Sequence, residues 1–179
     1  MISMIAFGGS SQTGKTTLAR KLADLLQCKF ASFGDYVRDE AKRRGKAVSA
    51  RQDLQDIGAE LAEQDMLSFC RDVLKAVNYV AGERIVIDGI RHAEALQALS
   101  KLSNGGRVRL IYLFAPLEVR TARTKIRQSD CDIRTIDAHP VESQTNSQIR
   151  AAADLLVDTS GPLDDVFARI ANWVTQELL

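Results

Sequence analysis

Gly9-Ser10-Ser11-Gln12-Thr13-Gly14-Lys15-Thr16 fits the pattern G-x-x-x-x-G-K-[ST] at every fixed position. The spacing has a physical reason. A phosphate chain carries several negative charges, and a wrapped loop can turn successive backbone N–H groups inward only where side chains do not obstruct. The helix that follows adds its unpaired N–H groups and the positive end of its dipole. Lys15 can reach the β and γ phosphates, the Thr16 hydroxyl can ligate Mg²⁺, and Thr17 continues the same first turn. A chance Gly/Ser-rich turn is the bland alternative. Against it, Met1–Phe7 reads as a short buried strand ended by two glycines, and Leu18, Leu22, Leu25 and Leu26 recur at helical spacing from Lys15 to about Gln27. Strand, cradle and helix together form the context that the motif needs.

Working outward, Cys28–Phe33 is a second apolar run and Asp35–Arg44 a helix with Gly45 as its stop. Ser49–Val80 is helical in pattern, with Gly58 expected to break it in two. Arg84–Asp88 is a β-branched strand, Glu94–Leu102 a helix, Asn104-Gly105-Gly106 a turn and Val108–Phe114 another strand. Leu117 to about Arg127 is helical, Ser129–Pro140 irregular and polar, and Ser143–Ala153 helical. Leu155–Asp158 is a last strand, and Leu163–Leu178 is an amphipathic helix entered through Gly161-Pro162. Short apolar strands alternating with helices point to a parallel sheet covered on both faces. With 179 residues, no internal repeat and no linker, one domain is expected.

Composition removes several function classes. Lys+Arg number 24 and Asp+Glu 23, a net charge of +1, so no global field is aimed at nucleic acid or an anionic membrane. A hydrophobic share of 45% with 26% charged residues is incompatible with disorder of the whole chain. Three scattered cysteines (Cys28, Cys70, Cys131) and two histidines (His92, His139) argue against a zinc site and a disulfide framework and suit a reducing compartment. The cysteines are expected in the core, and Phe167 and Trp173 in packing. No run approaches the roughly 20 apolar residues of a spanning helix, and the N-terminus lacks the basic region of a signal peptide. A cytoplasmic protein, monomer or homodimer, is expected, with no membrane or nucleic-acid partner.

Three further groups point to chemistry. Asp88 ends a strand that should lie beside the cradle strand, where an Mg²⁺–phosphate site needs a carboxylate. Asp158 also ends a strand, and capping is the favoured role there. Asp35 and Arg38 stand three apart at a helix start, and Arg91 follows the Asp88 strand by three residues. Both arginines should therefore emerge at the carboxyl edge of the sheet, where open α/β folds bind ligands. Two guanidiniums converging there suit a second phosphate group. Arg120, Arg123 and Arg127 share one helix face ahead of a polar segment with Asp130, Asp132 and Arg134. Such a face could close over a transferring phosphoryl group and exclude water.

The cradle, Gly34-Asp35-x-x-Arg38, Asp88-Gly89-Ile90-Arg91 and the arginine-rich helix resemble, in order along most of the chain, the P-loop nucleoside monophosphate kinases. Arg51-x-x-Leu54-Gln55-x-x-Gly58 is similar to the deoxynucleoside branch. The resemblance implies a three-layer α/β/α sandwich with a five-stranded parallel sheet, an acceptor-binding helical insertion over about 34–80 and a short arginine-rich lid over about 120–140. It implies ATP·Mg²⁺ as donor and a nucleoside monophosphate as acceptor. Arg38 and Arg91 would hold the acceptor phosphate, Asp35 would orient the acceptor, and Arg123 and Arg127 would clamp the transferring group. The loop Thr159-Ser160-Gly161 would face the donor base. Adenylate kinases place the arginine one residue later after the aspartate and carry a longer lid, which leaves the acceptor base open. Transfer to a hydroxyl of a small metabolite, as in dephospho-coenzyme A kinase, and a non-catalytic ATP-binding module stand as alternatives. The chain contains no N-K-x-D motif of a guanine-reading switch.

Overall fold

β-Branched and apolar runs become strands, and each is followed by a helix. The computed structural model describes residues 2–47, 51–126, 133 and 145–178. In chain order these form β1 (Ile2–Gly9), α1 (Lys15–Leu25), β2 (Lys29–Ser32), α2 (Phe33–Arg43), α3 (Arg51–Ala76) and β3 (Ile85–Ile90). There follow α4 (Ala93–Leu102), β4 (Arg107–Phe114), α5 (Leu117–Ile126), a π-helical turn (Thr145–Ile149), β5 (Leu155–Asp158) and α6 (Leu163–Leu178). The five strands pair in parallel in the order β2-β3-β1-β4-β5. From β1 the chain leaves toward β2, and from β4 toward β5, so a crevice opens at the carboxyl end of β1. β3 lies beside β1 as expected, with Phe7 opposite Asp88.

Alternation along the strands sorts their side chains into two layers. Met4, Ala6, Ile87, Leu110 and Tyr112 face Val37, Ile57, Phe69 and Leu99 from the helices α2, α3 and α4. Ile5, Phe7, Val86, Ile111 and Leu113 face Leu18, Leu22, Ile170 and Val174 from α1 and α6. Each fully buried Leu, Ile or Phe contributes about 1.5–3 kcal/mol. Phe167 and Trp173 pack against the second layer. Cys70 is buried in the first, where desolvation pushes its thiol up to about 12. At the sheet edge Asp154 accepts from the Leu110 amide (2.7 Å) and from Arg109 (2.7 Å), and Arg109 also donates to Glu177 of α6 (2.9 Å). Among the described residues no helix is long and apolar enough to cross a membrane.

Four local expectations need correction. The two glycines expected to end β1 belong to it, since Gly8 and Gly9 pair with Tyr112 and Leu113. Gly9 has φ +129°, and a Cβ there would lie 2.0 Å from the Leu113 carbonyl oxygen. Gly9→Ala is therefore expected to cost about 3 kcal/mol or more, as backbone strain adds to overpacking. That corresponds to a fall of roughly 6–12 °C in the thermal midpoint, measurable by calorimetry. An unchanged midpoint would mean that β1 and β4 separate there at little cost.

The long helical segment breaks at Asp65 and not at Gly58. Asp65 leaves the helix (φ −165°, ψ 97°). Its carboxylate accepts from the Ser68 amide (3.0 Å) and hydroxyl (2.7 Å), so it caps a second helical stretch. Gly58 stays helical and faces Val37 of α2. Helix α2 starts two residues early because Ser32, still in β2, accepts from the Asp35 amide as its N-cap (3.2 Å). Of the helix expected over Ser143–Ala153, the described part opens with the π-helical turn, whose Ile149 is buried beside Gly8.

Candidate functional site

β1 delivers the chain into the crevice, and the next residues curl because three of them take positive φ: Gly9 (129°), Gln12 (63°) and Gly14 (84°). Ser10, Ser11 and Thr13 are buried within the curl. The Thr13 hydroxyl donates to the Ser10 carbonyl (2.8 Å), and so does Lys15 Nζ (2.5 Å), tying both ends of the loop together. Gly14 is the N-cap of α1 and offers no capping side chain. The cradle thus ends on a helix start whose amides and positive dipole end face the crevice.

Asp88 lies within β3, two residues before its end, and not at its last position. Its Oδ2 accepts from the Thr16 hydroxyl at 2.6 Å, although the two residues are 72 positions apart. Its Oδ1 is buried and has no hydrogen-bond partner among the described residues. Burial pushes the carboxyl above its ordinary value and nearby Asp35 adds to the rise, while Thr16, Lys15 and Arg91 oppose it. An orphaned anionic oxygen beside a hydroxyl and a lysine fits a divalent cation, taken directly or through a water.

The acceptor-side residues meet because β2 and β3 are neighbours, with Ser32 in register with Asp88. A Cβ on Gly89 would lie 3.6 Å from Phe33 and 3.7 Å from the Gly34 amide, so the two arginine motifs run side by side. Gly34 leaves room for Arg38, whose Nη1 a Cβ would meet at 3.2 Å. Arg38 donates to Asp35 Oδ1 (3.0 Å), and Arg91, directly after β3, is half-buried and close enough to act on Asp88. Sequence reasoning missed Arg20, which donates to Asp35 Oδ2 (3.0 Å). Its position four residues after Thr16, on one helix face, was the available signal.

Among the described residues, Arg120 and Arg123 of α5 turn onto the protein and not into solvent alone. Arg120 is buried and donates to the Ser11 carbonyl (3.5 Å). Arg123 donates to the Gln12 carbonyl (3.3 Å), to the Thr159 hydroxyl (3.2 Å) and to the Thr159 carbonyl. In a trans peptide the C=O and the following N–H point in opposite directions. Drawing the Ser11 and Gln12 carbonyls toward α5 thus turns the amides of Gln12 and Thr13 to the opposite side. The loop after β5 meets this helix through Thr159, while Gly161 is exposed two residues further on. Asp158 accepts from the Ser160 amide (2.8 Å) and hydroxyl (2.5 Å) and holds the turn. Arg127, Asp130, Asp132, Arg134, Cys131 and His139 lie outside the described residues.

A family described as an AAA domain matches residues 8–158. A UPF0200/UPF0201 protein of Archaeoglobus fulgidus is 29% identical over 177 residues, 94% of this chain and 54% of that protein. A UPF0200 protein of Pyrobaculum aerophilum is 37% identical over 128 residues, 69% of this chain and 65% of that one. A cytidylate kinase of Desulfurococcus amylolyticus is 31% identical over 125 residues, 70% of this chain and 60% of that enzyme. The chain therefore spans less than two thirds of the length of each of these relatives. Among solved structures, a shikimate kinase from Aquifex aeolicus shares the fold with a TM-score of 0.61 at 18% identity, covering 98% of both chains. A gluconokinase from Sinorhizobium meliloti gives 0.54 at 16% identity, over 98% of this chain and 97% of that one. At such identities the likeness speaks for the fold and not for the substrate.

Proposed function

Because this chain belongs to the AAA domain family, matched from Gly8 to Asp158, we propose that it is a kinase transferring the γ-phosphoryl group of ATP to a nucleoside or deoxynucleoside monophosphate. One observation carries the choice of acceptor: Arg38 and Arg91 stand on adjoining motifs next to the Thr16–Asp88 pair. A hydroxyl acceptor needs a base to receive its proton. The carboxylate placed for that task, Asp35, has one oxygen on Arg38 and the other on Arg20. An acceptor phosphate already carries negative charge and needs cations around it, which the two arginines supply. The cytidylate kinase named above, 31% identical, supports the same reading.

In the transfer, an oxygen of the acceptor phosphate bonds to the γ-phosphorus as the bond from that phosphorus to the β,γ-bridging oxygen breaks. The protein contributes position and charge. Cradle amides and Lys15 hold the donor phosphates, Arg38 and Arg91 hold the acceptor, and Arg127 neutralises charge spreading over the transferring group. Arg123, expected to share that task, is committed to the Gln12 carbonyl and to Thr159 and shapes the cradle from behind. Thr16 and Asp88 would hold Mg²⁺, which supplies charge neutralisation to the donor phosphates when bound. Gly161 and its loop border the donor base.

The direct test is ADP release from ATP and Mg²⁺ against a panel of ribo- and deoxynucleoside monophosphates and dephospho-coenzyme A. At least one monophosphate is expected to stimulate release and yield a nucleoside diphosphate. A new phosphomonoester instead would replace the reading with hydroxyl transfer, and ATP binding without acceptor-dependent ADP would leave a binding module. Within the same assay Arg91→Ala is expected to lower kcat/KM for the acceptor by about 10- to 100-fold, with donor KM little changed. Near-normal acceptor kinetics in that variant would remove Arg91 from the site.

A further inference from the structure

Arg20 stands one helical turn beyond Thr16 on α1, outside the cradle and outside both arginine motifs. Its Nη2 donates to Asp35 Oδ2 at 3.0 Å, and its guanidinium carbon lies 4.3 Å from the centre of the Phe30 ring on β2. The other oxygen of that carboxylate accepts from Arg38 Nη1 at 3.0 Å. We infer that Arg20 is a positioning residue for the acceptor phosphate: acting through Asp35, it holds the Arg38 guanidinium in one orientation before the acceptor arrives. This rests on the phosphate-acceptor reading above.

The physical case is one of prior ordering. A long side chain that must be immobilised on binding weakens affinity, and one already held does not. Asp35 reaches Arg38 across three helical positions. A carboxylate on an exposed helix turn is itself free to swing, however, and Arg20 closes it from the opposite side. Arg20 is steadied in turn by Phe30, which packs on the sheet. Folding stability does not explain the arrangement, because the side chains of Arg20, Asp35 and Arg38 are 54%, 48% and 48% exposed and such ion pairs add little to it. Charge is a second contribution: two guanidiniums and one carboxylate leave a single positive charge facing the acceptor, and loss of Arg20 cancels it. Lysine at position 20 restores that charge but neither the planar fork nor the stacking.

The test uses the full chain with Arg20→Met, Arg20→Lys, Asp35→Asn and the Arg20→Met/Asp35→Asn double variant. Arg20→Met is expected to raise acceptor KM about three- to tenfold. Its kcat and donor KM should stay within about twofold, and its thermal midpoint within about 2 °C, as suits a half-exposed pair. Arg20→Lys should recover less than half of the loss, and Arg20→Met should cost clearly less in the Asp35→Asn background than in the native protein, the remainder being its charge. The Nε–Hε signal of Arg38 in NMR relaxation, ordered in the native protein, should become mobile in Arg20→Met. Full recovery by lysine, additive losses in the double variant or an Arg38 equally ordered in both proteins would each overturn the inference. If the native protein turns over no nucleoside monophosphate, the acceptor reading falls and the Arg38 signal decides alone. Loosening upholds the hold of Arg20 on Arg38, and an unchanged signal ends it.

Discussion

Lys15→Met is expected to lower ATP turnover by at least about 10³-fold while leaving the fold intact. Lys15 opens α1 and reaches back to the Ser10 carbonyl across the loop. Its charge also falls on Asp88, where it opposes the rise caused by burial. On the proposed function, the ammonium therefore stands where the donor phosphates would meet the cradle amides and the carboxylate. Methionine keeps a flexible apolar stem of similar length but no charge and no donor. In phosphoryl transfer there is little covalent chemistry for a protein to perform, so the removed charge comes almost wholly out of catalysis. Steady-state ADP release gives the loss, and a melting curve in the same buffer shows whether the fold has changed. A variant with a native melting curve and more than about a tenth of native turnover would contradict the placement of the donor.

Asp88→Asn is expected to act in opposite directions on activity and on stability. The carboxylate is 4% exposed, one oxygen accepts from Thr16 and the other has no partner among the described residues. Burial, then Asp35, raises its pKa in the folded protein. A carboxyl raised on folding binds its proton more tightly in the native than in the unfolded chain. Its contribution is full at pH below the ordinary carboxylate range and is lost as pH rises through the raised value. Without metal, therefore, Asp88 takes stability from the native protein as pH rises across that window, against the gain from acids such as Asp39 and Glu60 whose pKa values are lowered. Asp88→Asn should remove the Asp88 part and melt higher at neutral pH. With ATP and Mg²⁺ the ordering reverses, because the amide no longer offers an anionic oxygen to a cation. Turnover is expected to fall by about 10²–10³-fold. Calorimetric scans from acid to neutral pH with and without Mg²⁺ measure both effects. A metal-free variant that melts below the native protein at neutral pH would show that Asp88 stabilises the fold and is not held there at a cost.

The resemblance to the P-loop nucleoside monophosphate kinases, read from the cradle, the two arginine motifs and the helix after β4, agrees with the AAA domain match and with the kinase fold of the solved neighbours. Several readings were possible before any contact was known because their causes are local. Apolar runs of four to eight residues mark strands, leucines at helical spacing mark α1, and glycines bracket a lysine and a threonine that open a helix. Even locally, the break in α3 depended on which of two signals won. Gly58 lowers helix propensity slightly, whereas Asp65 gains two hydrogen bonds from Ser68 by leaving the helix.

What one chain of letters determined, then, was the set of elements and the chemistry of the cradle, because backbone geometry and side-chain period act over a few residues. The order β2-β3-β1-β4-β5 was decided by tertiary closure, and it alone sets Asp88 on Thr16 and the Asp88–Arg91 segment beside Phe33 and Gly34. The direction of the α5 arginines, onto the carbonyls of Ser11 and Gln12, and the hold of Arg20 on Asp35 were decided there too. The reason is that a helix period tells which residues share a face. What that face meets depends on crossovers that bring together segments far apart in the chain.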